Sequence, residues 1–246
     1  MGWRTFDPRT AAAEAVDAAR RASGEKLVSA TLYGSAAMGT FDPDRSDLNL
    51  AFLFTSLDGA LLESLRPARS AWRKRRVVRP LLLTHEILET SRDTFPLEYL
   101  LIQAHHEPLT GPDPFASIAI EREALRLQVE RTLRTQSLAL AWSYLDAAVT
   151  PSGARHWATR AGTALAASVS GLLHLSGEAV PAGRRVLAAR AAARYGISEE
   201  ALLAVLLPPA ERPAMEQAAL FGSARLVVDR LLDAAQRLDA SPERVS

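Results

Sequence analysis

The 246-residue sequence has no cysteine, which excludes disulfides, thiolate metal sites and a cysteine nucleophile together. It has no excess of charge of either sign: 29 Lys plus Arg stand against 28 Asp plus Glu, for a formal net charge of +1. That balance argues against a strongly basic coat for nucleic acid, although a local patch answers to its own field and not to the sum. Aromatic residues are scarce at 6%, and none interleaves with basic residues as a base-stacking track requires. Long apolar runs are missing too. The most lipid-like stretch, residues 161–175, falls short of the roughly 20 residues of a membrane helix, and the N-terminal MGWRTFDPRT lacks the apolar core of a signal peptide. The expectation is a cytoplasmic protein with no membrane partner. Lysine is nearly absent, 27 of the 29 basic residues being Arg, which together with the Ala runs reads as coding bias.

What is present is the composition of a globular chain, 48% apolar and 23% charged, with length for two modest domains or one large one. Asp7 before Pro8 opens a helix that runs to Ser23 and that Gly24 closes. Residues 26–33 (KLVSATLY) read as a strand ending at Gly34-Ser35, and a small-residue helix start follows. A turn-rich loop over 40–45 leads to a second strand, 46–54 (SDLNLAFLF), apolar on both faces in its second half. A helical stretch over 57–76 is broken at Pro67, and residues 77–83 form a third strand that Pro80 pushes to an edge. Thr84 caps a short helix to Arg92. Residues 95–103 and 107–110 read as further strands before the turn Gly111-Pro112-Asp113-Pro114.

From Ala116 the texture changes to Ala-, Leu- and Arg-rich segments of helical spacing. Val129, Leu133, Gln136, Leu140 and Tyr144 share a face, as do Leu226, Leu231, Leu232, Ala235 and Leu238. Breaks at 150–153, 177–183, Gly196 and 208–213 divide this half into about five helices. The expected fold class is α+β: a small mixed-sheet domain over residues 1–115, followed by an all-α helical bundle over 116–246.

The stretch LYGSAAMGTFDPDRSDLNL, residues 32–50, carries the chemistry. A strand runs into Gly34-Ser35, and about ten residues later a second strand opens with Asp47-Leu48-Asn49. Gly lets the backbone approach a phosphate, the amides that follow bind its oxygens, and side chains at i and i+2 of a strand point to one side. This arrangement resembles the signature of the polymerase-β-type nucleotidyltransferase superfamily, a Gly-Ser pair followed by a strand bearing Asp-apolar-Asp. A small domain of this kind followed by a helical bundle is similar to the aminoglycoside nucleotidyltransferases and their bacterial relatives. The run from Phe95-Pro96-Leu97-Glu98 through His106, Leu109, Gly111 and Asp113-Pro114 also resembles such relatives.

The resemblance implies a nucleoside triphosphate bound at Gly34, Ser35, Arg45 and Ser46, with Mg²⁺ held by Asp47 and by position 49. It further implies transfer of a nucleoside monophosphate to a hydroxyl of a small-molecule acceptor lodged between the domains. The sequence departs from the pattern at Asn49, whose amide can ligate Mg²⁺ but brings no charge to a hard cation. Activity is then weakened or lost, and the alternative is an inactive relative used for nucleotide sensing or protein interaction, including antitoxin-like pairing. A third carboxylate is expected from a neighbouring strand. On residues 77–83 the polar residue is Arg79, which leaves Glu98 on 95–103, whose other reading is a surface ion pair.

His105-His106-Glu107 and His85-Glu86 are read as structural surface groups, since adjacent side chains diverge. No Arg stands at toxin-like spacing before His156 or His174. The basic run Arg73-Lys74-Arg75-Arg76, with Arg66, Arg69, Trp72 and Arg79 nearby, is read first as a solvated helix C-terminus and second as a contact for a phosphate-bearing partner. With 14 basic and 15 acidic residues up to Phe115, a nucleic-acid partner is not expected. The helices of the second half can pack within the chain or as a homo-oligomer, and periodicity does not separate the two.

Overall fold

The structure, a computed structural model, describes residues 6–147 and 153–239. It divides into two compact units, Met1–Arg92 with Leu101–Ala119, and Asp93–Leu100 with Ile120–Ser246.

In the first unit α1 (Pro8–Ser23) is capped by Asp7, whose carboxylate accepts from the amides of Arg9 and Thr10. It is followed by β1 (Leu27–Tyr33), β2 (Asn49–Phe54), α2 (Gly59–Leu65), α3 (Ala68–Lys74), β3 (Leu81–Leu83), α4 (His85–Thr90) and, past the start of α5 (Pro96–Ala104), β4 (His106–Thr110). The four strands form one mixed sheet in the order β3-β2-β1-β4. β1 lies antiparallel to both β2 and β4, while β3 runs parallel to β2. Leu32, Leu50, Phe52 and Phe54 are buried with Val16 of α1, Leu61 of α2 and Trp72 of α3. The Trp72 ring stacks on Phe52 at 5.3 Å, and its indole N–H donates to the Ala15 carbonyl at 3.0 Å. Each such aromatic burial contributes about 2 kcal/mol, so the sheet holds its register against α1 and α3.

Several sequence expectations change here. The segment over 95–103 is the helix α5, not a strand, so the alternation that placed Glu98 on a sheet face does not apply. Pro96 occupies the first helical position, where its missing N–H costs nothing. Residues 34–39 form consecutive turns instead of a helix start, with the Met38 amide donating to the Gly34 carbonyl at 2.9 Å and that of Thr40 to Ser35 at 2.9 Å. The third strand is only Leu81–Leu83, at the sheet edge, so Arg79 lies outside it.

The second unit contains α6 (Arg122–Ala147), α7 (Gly153–Leu175), α8 (Arg184–Tyr195), α9 (Glu199–Leu206) and α10 (Gln217–Asp239). These are the five helices that the loop chemistry predicts; of the break over 150–153, residues 150–152 lie outside the described residues. Val129, Leu133 and Leu140 are fully buried among Leu165, Val169, Val228 and Leu231. Tyr144, on the same α6 face, stacks against Phe221 at 4.2 Å. Among the described residues no helix is long and apolar enough to cross a membrane.

Candidate functional site

The site begins where β1 ends. Tyr33 is paired with Asn49 of β2 on one side and with His106 of β4 on the other, so the chain leaves the middle of the sheet at Gly34. Gly34 has φ +74°, in the region that side chains disfavour. A Cβ there would stand 2.6 Å from the Asn49 side-chain nitrogen, so the amide of Asn49 lies directly over the glycine. The pairing of Tyr33 with Asn49 in the sheet brings the two segments of the motif together.

Leu48 and Leu50 are buried, whereas Asp47 is exposed and Asn49 half-buried, the alternation of a strand entering a sheet. The Leu48 amide donates to the Arg76 carbonyl at 3.0 Å, which holds the backbone between Asp47 and Asn49. Arg76 adopts φ +61°, and its guanidinium lies 5.2 Å above the Phe6 ring, which stacks in turn on Phe41 of the loop leading to Asp47. In the sequence Arg76 is one member of a basic run, with no local sign of this contact. A non-glycine residue held at positive φ is a sign visible only in the folded chain.

In the loop, Asp42 organises its neighbours. Its carboxylate accepts from the Asp44 amide at 2.8 Å and lies 3.7 Å from the Arg45 guanidinium, and its amide donates to the Ser46 hydroxyl at 3.1 Å. Arg45 and Ser46 are thus tied back to Asp42.

Glu98 lies in the second unit, with its carboxylate accepting from Gln128 Nε2 at 2.7 Å; Gln128 Oε1 in turn accepts from the Leu97 amide at 2.7 Å. Gln128 therefore closes the first turn of α5. Among the described residues no group of three His, Asp or Glu could hold a metal ion.

Two further groups at this end of the sheet escape a motif reading. Burial pushes the Tyr33 phenol up to about 12, so it stays protonated at neutral pH. His106 is structural, as expected, but its side chain is only 12% exposed and not a surface group. Its Nδ1 donates to the Gln103 carbonyl (3.1 Å), and its Nε2 meets the Asp113 carboxylate at 2.8 Å. Burial raises the Asp113 carboxyl, but hydrogen bonds from His106 and from the Phe115 amide outweigh it and hold it below the usual range.

The architecture is similar to a solved structure of spectinomycin adenyltransferase AAD(9) from Enterococcus faecialis with ATP and spectinomycin, at a TM-score of 0.58 over 92% of this chain and 98% of that one. This chain has a nucleotidyltransferase-like fold. At 11% sequence identity the likeness is one of fold. No protein-family model and no curated protein matches the sequence. Within a nucleotidyltransferase-like fold, the Gly34 turn and the start of β2 are the place where the Gly-Ser and Asp-x-Asn segments of this sequence meet.

Proposed function

We propose that the chain is a nucleotidyltransferase-like protein that binds a nucleoside triphosphate at Gly34, Ser35, Ser46 and Asp47, with Arg45 released from Asp42 to meet a phosphate. The observation that carries this reading is the seat of the Asn49 amide on Gly34, beside the exposed Asp47. The missing side chain of Gly34 leaves room for the Asn49 amide at the end of β1, and phosphate contact is assigned to the turns that follow, over residues 34–39.

The donor set is one carboxylate and one neutral amide. That fits one Mg²⁺ held by Asp47 together with the nucleotide's own phosphates, and it does not fit a pair of ions bridged by protein carboxylates. A bound Mg²⁺ would neutralise phosphate charge. Asn49 contributes hydrogen bonds without charge, and Asp47 alone carries the negative charge at the strand end. Glu98 is engaged by Gln128 within the second unit and is not counted in this donor set.

The reaction, where it runs, forms a bond from an acceptor hydroxyl oxygen to the α-phosphorus, releases pyrophosphate and leaves the hydroxyl proton to a base. With the charge at position 49 missing, transfer is slow. Asn49 favours a second reading, a chain that keeps nucleotide binding for sensing or for protein interaction after losing transfer. ATP and spectinomycin, held by the similar structure, are the first probes. Titration calorimetry with ATP and Mg²⁺ is expected to show saturable binding by the wild type and a loss of at least tenfold in Asp47→Ala. Absence of nucleotide binding by the wild type overturns the proposal. Asn49→Asp is expected to tighten the Mg²⁺ dependence of binding, and spectinomycin-dependent pyrophosphate release separates the two readings.

A further inference from the structure

Helix α3 separates its residues by chemistry. Ala68 and Trp72 are buried against the core, continuing the face of Leu65, while Arg66, Arg69, Ser70, Arg73 and Lys74 are exposed. These five line an open groove of about 560 Å³. It is shallow and open, and its lining is four cations and a hydroxyl with no apolar side chain.

The charges are not spent on neighbours. Arg66 is ion-paired with Glu63 at 2.9 Å, but among the described residues Arg69, Arg73 and Lys74 have no carboxylate within ion-pair distance. The next two basic residues of the run are used internally, Arg75 by an ion pair with Glu14 and Arg76 over Phe6. The helix dipole accounts for Arg73 and Lys74 in the last turn of α3, but Arg69 sits in the first turn, where the dipole disfavours a cation. A solvated helix C-terminus therefore explains only part of the cluster.

We propose that this groove docks the phosphate backbone of a nucleic-acid strand. The three free cations span about 7.5 Å of helix axis at 1.5 Å per residue, long enough to meet two to three successive phosphates of one strand. An acidic protein fits less well, because protein interfaces bury an apolar or aromatic anchor and this groove offers none. The absence of aromatic residues removes base stacking and hence sequence preference, leaving backbone contacts only. The near-zero net charge of the chain does not oppose this, since the field that a strand meets is the local one.

The test is fluorescence anisotropy of an end-labelled, mixed-sequence single-stranded 12-mer with the full chain, from 20 to 200 mM salt without divalent ions. Three neutralised phosphates predict a slope of about −2 for log K against log salt. Combined Arg69→Ala, Arg73→Ala and Lys74→Ala is expected to weaken binding at least tenfold at 20 mM salt and to flatten the slope. All three side chains are exposed, and circular dichroism checks the fold of this variant. Arg69→Lys with Arg73→Lys preserves charge and is expected to stay within threefold of wild type, and Asp47→Ala, in the candidate nucleotide site, to leave 12-mer binding unchanged. The proposal is overturned if the wild type does not bind at 20 mM salt, or if the triple variant binds as well. It is equally overturned if polyglutamate or inorganic tripolyphosphate, at matched charge, displaces the 12-mer as well as unlabelled 12-mer does.

Discussion

In the first unit Gly34 and Gly111 stand in turns at φ +74° and +72°, whereas in the second Gly162 and Gly171 lie within the helix α7 with helical backbone. All four are closely approached, but by different partners. At Gly111 a Cβ would stand 2.1 Å from the Val28 carbonyl and 2.8 Å from Ser29 Cβ, so the loop after β4 rests on the backbone of β1. At Gly171 a Cβ would stand 2.6 Å from a Val129 methyl and 3.1 Å from a Leu97 methyl, and at Gly162 it would stand 2.9 Å from the Val205 carbonyl. The first unit uses glycine for conformation and space together, to turn chain ends at a sheet. Within α7 of the second unit it serves space alone, to let helices approach, while Gly177, Gly183 and Gly196 at positive φ serve conformation in the loops between helices. The close approach of Asn49 to a left-handed glycine belongs to the unit that carries the proposed nucleotide site, and the close approaches at Gly162 and Gly171 belong to helix packing.

Substitutions can break this comparison. Gly111→Ala combines a backbone clash with left-handed strain and is expected to cost about 4 kcal/mol in urea unfolding, or to prevent folding. A loss below 1 kcal/mol would show that the loop can lift from β1. Gly171→Ala meets only side chains, and helical propensity returns part of the cost, so about 2 kcal/mol is expected from the same measurement.

Asp113 sharpens the comparison through pH. Its folded carboxyl lies below the unfolded value, so its contribution is fully present above the ordinary carboxylate range and is lost as pH falls through the folded value. Wild-type urea midpoints are therefore expected to drop more steeply between pH 5 and 3 than those of Asp113→Asn, which itself costs about 1 kcal/mol at pH 7. Parallel curves for the two proteins would remove Asp113 as the source. Gly34→Ala is the smallest in stability, about 1 kcal/mol, because the atom met is the movable end of Asn49. Its expected effect on ATP binding is larger, a loss of at least tenfold by calorimetry, and unchanged ATP affinity would separate Gly34 from the nucleotide site.

Much of the first unit is legible locally. Asp7-Pro8, Pro67 and Thr84 mark helix ends because capping and missing N–H groups act within one turn, and each acts so in the structure. Residues 95–103 mislead for a physical reason. Leu97, Tyr99, Leu100 and Ile102 are all buried, so an apolar run seen in sequence fits a strand and a buried helix equally, and Gln128, distant in sequence, ties down the first turn of the helix. The turns over 34–39 mislead differently: small residues tolerate a helix start, and the carbonyl bonds to Met38 and Thr40 spend that tolerance on turns.

By itself the sequence determined the α+β class, the five helices of the second half and the spacing of a Gly-Ser segment from an Asp-x-Asn strand, because caps, periodicity and i, i+2 spacing are local. Only the tertiary structure decided that the Asn49 amide sits on Gly34, that Arg76 braces Leu48 while Arg69, Arg73 and Lys74 have no ion-pair partner among the described residues, and that Glu98 bonds to Gln128. Each of these depends on which distant backbone comes within 3 Å or so, and no local pattern encodes that distance.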